Sequence, residues 1–135
     1  MIFKRRGSNQ DRKGTSTVEL AVCLPVLALI VFGTLQASSM YFLRQALVQS
    51  AYETVREVVK PDGSQAIALQ RGRQTLAFRD VVGERVTFDP PNVENLDPGT
   101  PVTVTVTADG DVNSIIPFGV FKGRTVSASA TMNKE

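Results

Sequence analysis

Along this chain the rhythm of hydrophobic and polar positions changes several times, and each change predicts an element. From Leu20 to Leu43 there are 24 residues without a formal charge. The first of them, Leu20 to Phe32, are apolar all round. At about 1.5 Å rise per residue, a helix of that length covers roughly 36 Å, enough for a hydrocarbon core of about 30 Å. From Arg44 the pattern becomes one-sided. Leu47, Val48, Ala51, Tyr52, Val55, Val58 and Val59 fall on one face of a 3.6-residue period, with Arg44, Gln45, Gln49, Glu53, Arg56, Glu57 and Lys60 opposite. Together the two patterns predict one continuous helix of about 40 residues, in lipid first and in water afterwards. Lys60-Pro61-Asp62-Gly63 ends it, because the residue before proline is pushed out of the helical region and Asp-Gly favours a turn.

A second, shorter helix is predicted from Gln65 to Arg79, with Ser64 as its cap and Ala66, Ile67, Leu69, Leu76 and Phe78 as its apolar residues; Gly72 interrupts that loose period. The period then becomes two. Arg85 to Phe88 is a short strand stopped by Asp89-Pro90-Pro91, and Asp97-Pro98-Gly99 is turn chemistry. Val102 to Ala108 and Thr125 to Met132 alternate apolar and hydroxyl residues without a fault. One-sided antiparallel strands need a cover for their apolar face, and the stripe from Leu47 to Val59 supplies it; Ala128 and Ala130 would let a helix approach closely. The predicted fold class is therefore α+β: a long N-terminal transmembrane-to-amphipathic helix packed on a small antiparallel sheet.

Charge is segregated. Residues 1–14 carry a net +4, Glu19 carries −1, and the residues after it a net −1. A basic excess beside an apolar helix predicts a cytoplasmic N-terminus and a C-terminal part across the membrane. No basic patch persists after the helix, so nucleic acid is not an expected partner. The single cysteine, Cys23, lies in the apolar run and reads as a small membrane residue, which leaves an exported domain to hold by packing alone. The chain has no histidine, which removes the commonest general base and most zinc sites. Asp109-Gly110-Asp111-Val112-Asn113 resembles the start of a calcium loop. Ser114 stands where that loop needs glycine and Val120 where it needs glutamate, so a turn explains these residues better. No catalytic residues, metal or cofactor are expected.

Glu19 is the anomaly, because a carboxylate at the start of a membrane helix is costly. Alone it would read as a side chain snorkelling to the interface at the positive end of the helix dipole. It sits five residues after Gly14, and Gly14 follows Lys4, Arg5, Arg6, Arg12 and Lys13. A short basic leader, then Gly, four residues, Glu and an apolar helix resembles the type IV prepilin signal. Val18-Glu19-Leu20-Ala21, Leu24-Pro25-Val26-Leu27 and Phe32-Gly33, with the C-terminal Ser127 to Met132, are similar to the TadE-like proteins of the tight-adherence (Flp, type IVc) pilus system. The Glu19-Leu20 pair and the chain length resemble a minor pilin or pseudopilin more than the short major subunits, which carry Glu-Tyr.

The resemblance implies cleavage by a prepilin peptidase between Gly14 and Thr15, single-pass insertion in the cytoplasmic membrane with an extracytoplasmic head, and contact with other pilus subunits and the assembly machinery. It implies three parts: a leader over 1–14, a transmembrane helix over 15–43, and a head over 44–135 that includes the helix continuation 44–60. Residues 15 and 19 are i and i+4, so a new ammonium on Thr15 would lie above the Glu19 carboxylate. Pro25, early in the helix, would bend or loosen it, as it lacks an N–H and its ring crowds the preceding turn. The leader before Gly14 reads as unstructured. The other reading of the chain is a single-pass anchored protein whose exported domain has no connection with pili; cleavage near Leu35-Gln36-Ala37-Ser38-Ser39, giving a secreted domain, ranks below both. Ile115, Ile116, Phe118 and Phe121 form an apolar loop that reads equally as extra core or as a contact with a partner or the membrane surface.

Overall fold

The computed structural model of the protein describes residues 9–114 and 123–135. Helix α1 spans Asn9–Val58 and α2 spans Gln65–Ala77; strands β1 (Arg85–Asp89), β2 (Pro101–Asp109) and β3 (Thr125–Asn133) follow. The strands form one antiparallel sheet in the order β1-β2-β3. A long N-terminal helix with a small antiparallel sheet is the pilin-like α+β arrangement that the periodicities predict. The chain divides into two compact units between Leu35 and Gln36.

In the first unit α1 is lipid-like in its surface. The described side chains are exposed almost throughout, including Val18, Leu20, Val22, Leu24, Leu29 and Phe32. The helix begins at Asn9, inside the leader that reads as unstructured. Gln10, Arg12 and Lys13 are good helix formers, and a helix nucleated in the apolar run extends through them at the cost of one residue's freedom per hydrogen bond. It stays helical through Pro25, which has no N–H to offer the Ala21 carbonyl.

In the second unit the buried face of α1 is Gln36, Ser39, Leu43, Ala46, Leu47, Ser50, Ala51, Thr54, Val55 and Val58. Burial thus starts at Gln36, ahead of the first charge at Arg44. Residues 36–43 are uncharged because half of them face protein. Two members of the predicted stripe fall off it: Val48 is 44% and Tyr52 47% exposed. At about 100° per residue they lie roughly 100° and 140° round the helix from Leu47, whereas Ser50 and Thr54 lie within 60°. Those two small hydroxylated residues replace them in the interior.

The sheet's inner face closes the core. Val102, Val104, Val106 and Ala108 of β2 are buried, while Thr103, Thr105 and Thr107 point outward. They join Leu47, Val55 and Val58 of α1, Ala68 and Leu76 of α2, and Val93 of the β1–β2 loop in one cluster. Each fully buried Val or Leu contributes on the order of 1.5–3 kcal/mol. Helix α2 departs from expectation. Its buried residues are Ala68, Gly72 and Leu76, an i, i+4, i+8 row, while Ile67 is half-exposed and Phe78 is 89% exposed. Ser64 occupies the N-cap position with extended backbone, yet its side chain makes no capping hydrogen bond.

Candidate functional site

Gly14, Thr15, Glu19 and Pro25 all lie on α1 in the first unit, and all are exposed. Nothing comes within 4 Å of where a Gly14 Cβ would be. Thr15 and Glu19 are four positions apart along the helix, so both sit on one face about one turn apart. Because α1 starts at Asn9, the Gly14–Thr15 peptide is itself helical. Glycine is the weakest helix former after proline, by about 1 kcal/mol against alanine, so the helix opens more readily at this peptide than at the residues on either side of it. From Leu20 to Leu35 the helix carries no charge. It is long and apolar enough to cross a membrane once. Cys23 is exposed within that stretch, as its apolar setting predicts. Ile115, Ile116, Phe118 and Phe121 lie outside the described residues.

The far end of α1 shows what the sequence reading missed. The last carbonyls of a helix have no partner within it. Here the C-terminal residues supply them: Lys134 Nζ donates to Val58 O at 3.0 Å and to Lys60 O at 2.8 Å. The Glu135 N–H donates to Val59 O at 2.9 Å. Lys134 is 7% exposed, so its ammonium is a buried cation seated on the negative end of the helix dipole. Beside it, Lys60 donates to Glu57 at 2.7 Å in an exposed pair, and that hydrogen bond holds the Glu57 carboxyl below the usual carboxylate range. A lysine in the penultimate position gives no periodic signal, which is why pattern reading passes over it.

The α1–α2 contact was equally hidden. A Cβ on Gly72 would overlap Thr54 Oγ1 and come 3.2 Å from Ser50 Oγ. Ser50 Oγ donates to Gly72 O at 2.9 Å, and Thr54 Oγ1 donates to Ser50 O at 2.7 Å. The glycine that interrupts the period of α2 is therefore its point of closest approach. A signal did exist: Ala68 and Gly72 are small residues four apart.

The acidic turn after β2 does structural work. Asn113 accepts from the Val82 N–H at 2.9 Å and donates to Val82 O and Asp109 O. Asp111 accepts from the Gly123 N–H at 2.8 Å. These bonds bear out the reading as a turn. An open cleft of about 330 Å³ lies between Leu43, Ala46, Val81 and Asn113. Its Arg79 is committed to Gln49 at 3.0 Å and its Asn113 to the connector.

A helix long and apolar enough to cross a bilayer, joined to a small α+β unit with a one-sided sheet, defines a pilin-like class of fold. Within that class the profile of the TadE-like protein family matches residues 14–56, which run from the expected cleavage position to the last turn of α1, and over that stretch the chain is TadE-like. That family is structural and non-enzymatic, associated with pilus subunits and their assembly machinery. No curated protein and no solved structure matches the chain.

Proposed function

We propose that this chain is a minor pilin or pseudopilin of a tight-adherence type IV pilus system. It inserts with its N-terminus in the cytoplasm, is cut between Gly14 and Thr15 by a prepilin peptidase, and takes part in pilus assembly without catalytic activity of its own. The observation that carries this reading is the Gly14–Glu19 spacing at the exposed amino end of an apolar helix, inside the TadE-like segment. Cleavage would put a free ammonium on Thr15, one helical turn from the Glu19 carboxylate. In lipid the two charges offset much of each other's desolvation, within one chain or between neighbouring subunits. Pro25, between that pair and the head, marks where the segment gives most easily on entering an assembly.

The test is mass spectrometry of the membrane-bound protein from cells that contain the peptidase. The expected species begins at Thr15; an intact Met1 terminus overturns the reading. Glu19→Gln should leave insertion unchanged and reduce piliation at least about tenfold, the factor that losing roughly 1.4 kcal/mol of charge pairing implies. Normal piliation in that variant would favour the anchored protein unrelated to pili.

A further inference from the structure

Among the described residues β3 is the last strand of the sheet and has an open edge, because the strand order ends with it. Gly110 N–H donates to Arg124 O, and Lys134 N–H donates to Thr100 O, each at 2.8 Å. Even-numbered residues of β3 therefore turn their backbone groups toward β2. The groups of Thr125, Ser127, Ser129, Thr131 and Asn133 turn outward, and no backbone group among the described residues pairs with them. Natural edges of this length are protected by a charge, a proline or a bulge. Residues 125–133 contain no charge and no proline, and their register with β2 is unbroken. The core is also unfinished there: Val102, Val104 and Val106 are fully buried, while Val126, Ala130 and Met132 on the neighbouring β3 are only partly so.

We propose that this edge receives an extended strand from another protein chain, antiparallel to β3, uncharged, with small apolar and hydroxyl residues alternating. Its apolar residues complete the cover over Val126, Ala130 and Met132, and its hydroxyls extend the outer face on which Thr103 and Thr131 already share a hydrogen bond at 2.8 Å. A second copy of this chain matches chemically, since Thr-Val-Ser-Ala-Ser-Ala-Thr-Met-Asn reads nearly alike in both directions about Ser129. Geometry disfavours it. Antiparallel pairing of two β3 strands places a two-fold axis perpendicular to the sheet, which reverses residues 36–58 of α1 in one copy. Subunits that share one direction, as the proposed function requires, do not adopt that reversal.

The test uses the full chain in detergent and a fluorescent peptide with the uncharged, alternating sequence of residues 102–108. Saturable binding is expected, with the amides of Ser127, Ser129 and Thr131 gaining hydrogen-exchange protection while those of Ala128 and Ala130 are protected already. Ser129→Pro removes an outward N–H and spares the ladder to β2, so it should weaken binding at least about tenfold with an unchanged melting temperature. If that variant fails to fold, the exchange pattern of the unaltered protein decides. Absence of saturable binding, protection elsewhere, or equal binding by a folded Ser129→Pro variant overturns the proposal. So does efficient disulfide formation between Ser129→Cys copies with Cys23 replaced by serine, which assigns the edge to a second copy.

Discussion

Gly72 has no Cβ, and Thr54 Oγ1 occupies the space one would take. The Thr54 hydroxyl is not free to move, since it donates to Ser50 O within its own helix. Gly72→Ala therefore sets two effects against each other. Alanine raises helix propensity by about 1 kcal/mol. Forcing a methyl into a filled contact costs about 1–3 kcal/mol, and a displaced, buried hydroxyl adds roughly 1 kcal/mol or more. The net expectation is a loss of about 1–3 kcal/mol. Thr54→Ala clears the space, so Gly72→Ala in that background should stabilise rather than destabilise. Chemical denaturation of the four members of this cycle checks it, and additive effects would show that the two residues do not meet.

Among the elements, α1 shows how far pattern reading goes. Its continuity past the apolar run, its apolar first half and the ladder of Val102, Val104 and Val106 that it covers were legible, because period and alternation report burial directly; its start at Asn9, about ten residues ahead of the apolar run, was not. The arc of its buried face was not. Apolarity admitted Val48 and Tyr52 and passed over Ser50 and Thr54, since no propensity records that α2 will approach through a glycine. Helix α2 departs in the same way: Ile67 and Phe78, counted among its apolar residues, are left exposed. The end of α1 depends on a residue 76 positions away in sequence, Lys134 against Val58. Lys134→Met keeps the apolar stem and removes the ammonium, leaving the buried Val58 carbonyl without its partner, while Lys60 O keeps the Gly63 N–H at 2.9 Å. At about 1–3 kcal/mol for such a group, the variant should lose about 2 kcal/mol. Its melting temperature should fall by about 8–16 °C, at the 4–8 °C per kcal/mol of a domain of this size. Lys60→Met, in the exposed pair with Glu57, should change it little.

At the scale of the whole molecule the question is which side of a membrane each end occupies. The segment from Thr15 to Leu35 is about 31 Å long as a helix, matched to a hydrocarbon core of about 30 Å without drawing on the buried face that starts at Gln36. The leader before it is strongly basic, while the residues after Glu19 are close to neutral. Positive residues flanking a single span stay cytoplasmic, so the leader is expected inside and the sheet outside. Site-directed labelling reads this directly. With Cys23 replaced by serine, Asp62→Cys in the exposed turn after α1 should react with a membrane-impermeant maleimide on spheroplasts, while Arg12→Cys should react only after lysis. The Arg12→Cys signal should vanish from the mature protein in cells with the peptidase and persist in cells without it, which joins orientation to processing in one experiment. Labelling of Arg12→Cys in intact spheroplasts would reverse the topology. A peptidase that acts where the basic leader should lie would then have no access to Gly14, and the pilin reading would fall with the orientation.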